Sequence, residues 1–295
     1  MEKSVSYTLL LTFFSAMLVF GVYGDSKDKL LHAGTPMYFP NEIDFAGEST
    51  PIQVSDVKER LDRELIVNAN LHASTVLIIK RANRAFPVIE PILQKYNIPD
   101  DFKYLAVIES ALTNAVSPAG AKGVWQFMPS TAKEKGMEVN DIVDERYHLE
   151  KSTIAACKYL ISAKEKFGSW TLAAASYNAG VAGIDKKLEE QKVTNYYDLS
   201  LVEETSRYIF RILALKEIMK NPSKYGFTIF SADLYPQIPS KIVKVDTTIN
   251  NLAHFAISQG INYKILKIHN PWLRDKRLPN PNKKTYTIEI PLSGY

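Results

Sequence analysis

Cysteine is nearly absent: Cys157 stands alone among 295 residues. An intramolecular disulfide is excluded, and the redox compartment is left open. Its neighbours, "TIAACKYL", read as a buried helix face, so a small core residue is expected there rather than a reactive thiol. Dense Lys/Arg blocks are missing as well. The net charge is only +4, which suits a substrate carrying carboxylates and argues against a nucleic-acid partner. The histidines (His32, His72, His148, His254, His269) are scattered. No Cys/His/carboxylate set has metal-ligand spacing, so neither metal nor cofactor is expected. No internal repeat is evident.

Charge is also missing from one long stretch. After Lys3 none occurs until Asp25, and Val22 and Gly24 are small enough for positions −3 and −1 of a cleavage site. Residues 1–24 are therefore expected to be a signal peptide. An uncleaved anchor is the alternative, because the uncharged run is nearly long enough to span a bilayer, and only then is membrane contact expected. No cysteine lies at the boundary, which argues against a lipid-anchored lipoprotein. In either case the body of the protein is expected outside the cytoplasm, in the periplasm or cell envelope.

What is there is largely helical in pattern, and 46% of residues are hydrophobic, enough for most of the chain to build a core. Residues 25–53, broken by Pro36, Pro40 and Pro51, read as a linker. Residues 54–232 carry helical spacing, with Gly and Pro between short helices and no convincing alternating strand. Pro222, Pro236 and Pro239 mark a second linker over 221–239. Residues 240–293 change character: "KIVKVDTT" and "KTYTIEIPL" alternate as strands do and flank two helical stretches, a small βααβ module.

One acid is conspicuous. Pro99, Asp100 and Asp101 suit a first helical turn. From there Phe102, Leu105, Ala106, Glu109 and Leu112 follow spacings of three and four on one face. Lys103, Tyr104 and Val107 fall elsewhere. Glu109 inside an apolar stripe is either half of a structural ion pair or a general acid whose pKa burial has raised. Downstream, "SPAGAKGVWQFMP" offers Gly120 and Gly123 for tight turns and close approach, Gln126 as an amide, and Trp125, Phe127 and Met128 as apolar wall. Taken alone, that stretch also reads as a turn followed by core aromatics. "SWTLAAASYNAG" offers Ser169 as N-cap and Gly180 as helix stop, with Tyr177 and Asn178 at the helix end. "ETSRYIFRILALKEI" places Tyr208 on a helix with Ile209 and Ile212.

Glu109-Ser110, "GAKGVWQFMP", "SYNAG" and Tyr208, in this order and spacing, resemble the four motifs of the soluble lytic transglycosylase domain over roughly residues 86–220. "NIPDDFKYLAVIES" is similar to the "GLPEDLKYLPVIES" of that family's membrane-bound D type. Trp125 stands where the family commonly has Met. The closing module resembles a LysM repeat, with Val245 where Gly commonly precedes Asp-Thr. The resemblance implies a mainly α, lysozyme-like catalytic domain plus a small α+β (βααβ) module. It implies cleavage of the β-1,4 bond between N-acetylmuramic acid and N-acetylglucosamine in peptidoglycan glycan strands, leaving a 1,6-anhydro ring. Glu109 would be the acid, with Ser117, Gln126, Met128, Tyr177, Asn178, Tyr208 and Trp125 at the substrate. No second acid is expected beside Glu109 from the motif segments; Asp144 and Glu145 stay open. A water-using lysozyme-type muramidase, a non-catalytic peptidoglycan-binding scaffold and a plain helical interaction domain are the competing possibilities. The module, on its proline-bearing linker, is expected to act by raising local substrate concentration.

Overall fold

The computed structural model describes residues 37–295. The expected signal peptide, 1–24, and the first part of the expected linker lie outside the described residues. The rest of that linker is a packed element. Strands β1 (Asp44–Phe45) and β2 (Glu48–Ser49) form a minimal hairpin. Its turn residues Ala46 (φ 55) and Gly47 (φ 80) both take the left-handed conformation that a primed two-residue turn requires. Phe45 is fully buried against Phe102, ring centroids 5.0 Å apart. Asp101 accepts from the Ala46 amide at 2.8 Å and from Lys216 Nζ at 2.6 Å, and Lys216 also reaches the Asp44 carbonyl at 2.7 Å. A segment with one large core residue and two backbone hydrogen bonds to the buried Asp101–Lys216 pair is not a linker.

The helical body follows. Helices α1 (Ser55–Asn70) and α2 (His72–Lys95) break at Leu71, and α3 (Phe102–Ser110) is central. The first turn of α3 closes with i→i+3 bonds, Phe102 to Pro99 and Lys103 to Asp100, so the regular helix begins later than Pro99. Tyr104 and Val107 are as buried as Phe102 and Leu105. Thus α3 is wrapped nearly all round, by α2 and α8 among others, and is not a one-faced surface helix. Then come α4 (Pro129–Glu134), α5 (Leu149–Phe167), α6 (Trp170–Ala179), α7 (Val181–Gln191) and α8 (Glu203–Lys220). Ser169 Oγ caps α6 by accepting from Leu172 N, and Gly180 ends it. Glu48 of the hairpin adds a second cap, accepting from the Trp170 amide at 2.6 Å, the Thr171 amide at 2.9 Å and Ser169 Oγ at 2.7 Å. An acid at a helix N-terminus satisfies orphan amides and meets the positive end of the dipole.

The stretch 221–239 does not hang free. Tyr225 and Phe227 are buried, the Tyr235 amide bonds Lys80 O, and Arg84 Nε donates to Pro236 O at 3.0 Å. It lies along α2. The closing module has antiparallel strands β3 (Ser240–Val245) and β4 (Tyr286–Pro291), paired from Ser240↔Pro291 to Val245↔Tyr286. Between them lie α9 (Leu252–Ser258) and α10 (Tyr263–His269). Its small core includes Leu252, Leu266, Trp272, Leu278 and Ile288, and is continuous with Val143 and Tyr147 of the helical body. The expected tethered module is therefore a docked one.

Candidate active site

Glu109 is the penultimate residue of α3, where the helix must stop. Ala111 (φ 53) and Leu112 (φ 58) are consecutive non-glycine residues in the left-handed region, a conformation that costs about 1–2 kcal/mol per residue. Such strain gathers at functional sites because the surroundings enforce it. Here Ser110 Oγ donates to Val124 O at 2.8 Å and Thr113 Oγ1 donates to Ser110 O at 2.8 Å. The helix end is thereby stitched to the glycine-rich loop that follows.

That loop, from Ala115 to Phe127, is a double turn. Gly123 N bonds Ala115 O, Ser117 N bonds Ala121 O, and Lys122 and Phe127 exchange backbone bonds. Gly123 (φ +84) admits no side chain: an added Cβ would lie 1.9 Å from the Arg146 carbonyl oxygen. Gln126 also takes positive φ (48), and its Nε2 donates to Gly123 O at 2.7 Å and Ala115 O at 3.1 Å. Ser117 Oγ accepts from the Ala121 amide. Both side chains shape the loop, and Met128 is exposed beyond it.

Trp125 is a correction. Its side chain is fully buried and its Nε1 donates to Thr153 Oγ1 at 2.8 Å, so it forms core beneath the loop and not cleft wall. A sequence of aromatics after a turn does not distinguish the two, because the partner that decides it lies 28 residues away. Its carbonyl matters more than its ring: Tyr177 Oη donates to Trp125 O at 2.8 Å.

Above the acid, Tyr208 on α8 is buried, and its hydroxyl donates to Glu109 Oε1. Burial lifts the Glu109 carboxyl to about 7. The Tyr208 hydrogen bond and the Arg211 charge pull it down, and the Glu204 charge pushes it up. Burial and the neighbouring Glu109 charge hold the Tyr208 hydroxyl well above its ordinary range, so it stays a proton donor to that bond. Asn178, at the end of α6, is fixed from α8: Thr205 Oγ1 donates to its Oδ1 at 2.8 Å, and its Nδ2 donates to Glu204 Oε1 at 3.1 Å.

The structure thus gathers Glu109, Tyr177, Asn178, Tyr208 and the 115–128 loop. The other acids near in sequence are engaged elsewhere: Asp100 by Lys103, Asp101 by Lys216, Asp144 by Arg146, Glu145 by Lys151. Glu204, one helical turn before Tyr208, is a second carboxylate that acts on Glu109, against the expectation of none in the motif segments. Its spacing of four from Tyr208 was the available signal. Among the described residues no group of three or more His, Cys, Asp or Glu is placed to hold a metal. A separate hollow of about 450 Å³ between α1 and α8 is lined by Arg60, Arg63, Glu64 and Arg207. Its charges are paired internally, Arg207 with Glu64 at 2.7 Å and Arg63 with Glu203 at 3.1 Å.

Residues 87–199, which hold Glu109, the loop and Asn178, match the Transglycosylase SLT domain. Over that span the chain is similar to the SLT domain. Tyr208 lies just beyond the matched span, on the helix that closes over Glu109. Residues 241–294 match the soluble lytic transglycosylase C-terminal LysM-like domain. Two curated relatives are named membrane-bound lytic murein transglycosylase D, one from Escherichia coli strain K12 and one from the O6:H1 strain CFT073. Each is 31% identical to this chain over 183 residues, covering 60% of it. The chain spans about two fifths of the length of those relatives. Among the described residues no helix is long and apolar enough to cross a membrane.

Proposed function

We propose that this chain is a peptidoglycan lytic transglycosylase that cleaves the β-1,4 bond between N-acetylmuramic acid and N-acetylglucosamine and leaves 1,6-anhydro ends. One observation carries it: Glu109, in the span similar to the SLT domain, is a carboxyl raised to about 7 under the Tyr208 hydroxyl. An acid that still holds its proton near neutral pH can give it to a leaving glycosidic oxygen. Glu204 lies exposed at the start of α8 and is hydrogen-bonded to Asn178. It is thereby a support to the site and not a nucleophile, so a single-acid route fits.

In that route the acetamido oxygen of the muramic acid attacks its own C1 while Glu109 protonates the departing 4-oxygen. The 6-hydroxyl then attacks C1, displaces the acetamido oxygen, and gives its proton to the Glu109 carboxylate. No water is consumed, and the acid is regenerated. Gln126, Ser117 and Met128 would meet the sugar from the loop, and Tyr177, Asn178 and Tyr208 would orient it from the helices. Trp125 would support this arrangement from below. Export to the cell envelope, where this substrate lies, belongs to the same proposal, since the relatives are murein transglycosylases by name.

Digestion of purified sacculi followed by mass spectrometry of the released muropeptides tests it. Anhydro-ended products from the native chain, lost in Glu109→Gln, are expected. Reducing-ended products would instead assign a water-using muramidase, and no release at all would leave a glycan-binding scaffold.

A further inference from the structure

The closing module touches the helical body along the stretch 138–148, and that stretch backs the cleft loop. The Trp272 ring stacks between His148 and Tyr286, centroids 5.9 and 5.7 Å away. The Asp144 amide donates to Trp272 O at 2.9 Å, the Arg274 amide donates to Ile142 O at 2.7 Å, and the Arg274 guanidinium lies 4.4 Å from the Tyr147 ring centroid. Lys284 pairs with Glu138 and Glu145. Asp144, so held, is buried and forked by Arg146: Nε to Oδ1 at 2.8 Å and Nη2 to Oδ2 at 2.7 Å. The remaining guanidinium nitrogen, Nη1, donates to Gly120 O and Phe127 O, both at 3.2 Å. Those carbonyls sit at the two ends of the turn that carries Gly123, Trp125 and Gln126.

We infer that the closing module is a working part of the cleft: by docking on 138–148 it fixes the Asp144–Arg146 pair, and Arg146 is a positioning residue that holds the 115–128 loop in its substrate-facing shape. From the front the loop is gripped by Ser110 at Val124 O and by Tyr177 at Trp125 O, and from beneath by the Trp125 indole at Thr153 Oγ1; Arg146 supplies the hold from the rear. A guanidinium suits the rear position because one planar fork engages a carboxylate and still has a nitrogen free for two carbonyls. A lysine there cannot hold all four oxygens in that geometry.

Two variants of the full chain test this, Arg146→Lys and Trp272→Ala, with hydrogen exchange at the 115–128 amides as the first readout. It needs no activity, so it stands even if the transglycosylase proposal fails. Loop exchange is expected to quicken about tenfold in both variants while the α5 and α8 amides keep their protection. The second readout rests on the proposed function. On soluble glycan fragments, KM is expected to rise about tenfold, with a smaller change in kcat, because the catalytic acid is untouched. Should Trp272→Ala fail to fold, the pair Arg274→Ala and Lys284→Ala, both at exposed positions, loosens the same dock. Unchanged loop exchange in Arg146→Lys, or in the dock variant, overturns the inference. So does a loss of activity confined to kcat.

Discussion

At Glu109 two demands conflict, and the pH scale shows where. Its folded pKa of about 7 exceeds the usual 4.5, so the native state holds more protons than the unfolded chain between those values. Stability from this group is fully present below about pH 4.5 and is lost as pH rises through 7, a cost of about 3 kcal/mol above it. Glu109→Gln is therefore expected to lose at least about a hundredfold in cleavage rate and yet to unfold at a higher temperature than the native chain at pH 8, with the gap closing at pH 4.5. Thermal scans at the two pH values check it; an equal shift at both would show that burial is not what raises the acid. Tyr208→Phe removes a bond that lowers the Glu109 pKa. The alkaline limb of the pH–rate profile should then move upward while the maximum rate falls. Glu109 was legible in the sequence because an acid among apolar residues at spacings of three and four violates an otherwise regular pattern. Trp125 was not, since a ring beside a turn suits wall and core equally; Glu204 left only its spacing of four from Tyr208 as a signal, on a helix that has several acids.

The helix ends were the legible part of the elements, since Ser169 and Gly180 are a cap and a stop by their own chemistry. The hairpin at 44–49 was illegible: two-residue strands show no alternation, and the lysine that secures them lies 172 residues away. Its contribution falls on α6, the helix that presents Tyr177 and Asn178. Although burial alone would raise the Glu48 carboxyl, hydrogen bonds from Thr171, Ser169 and Trp170 hold it below its usual range. Its stabilisation is thus present above the usual carboxylate pKa and lost as pH falls through the depressed value. Glu48→Ala is expected to cost about 1–2 kcal/mol in denaturant unfolding at neutral pH and less in acid. A cost that does not vary with pH would mean that packing, and not the cap, is what the mutation removes.

For the whole molecule, the βααβ order of the closing module followed from alternation and helical spacing, but its docking did not, because Trp272, Tyr147 and His148 are brought together from segments far apart in the chain. A shared core across that junction predicts one calorimetric transition for residues 37–295, and two for the Trp272→Ala chain. Two resolved transitions in the native chain would contradict the shared core. The clasps that close the molecule also bear on how it comes to be folded. Asp44 meets Lys216, and Glu138 meets Lys284, so the N-terminal hairpin waits for the last helix of the body, and the rear of the cleft waits for the residues just before β4. Such distant pairings raise the contact order of a helical body and slow its completion. A chain emerging in order from its N-terminus would hold Glu109 in an open, unfinished cleft until Lys284 had appeared.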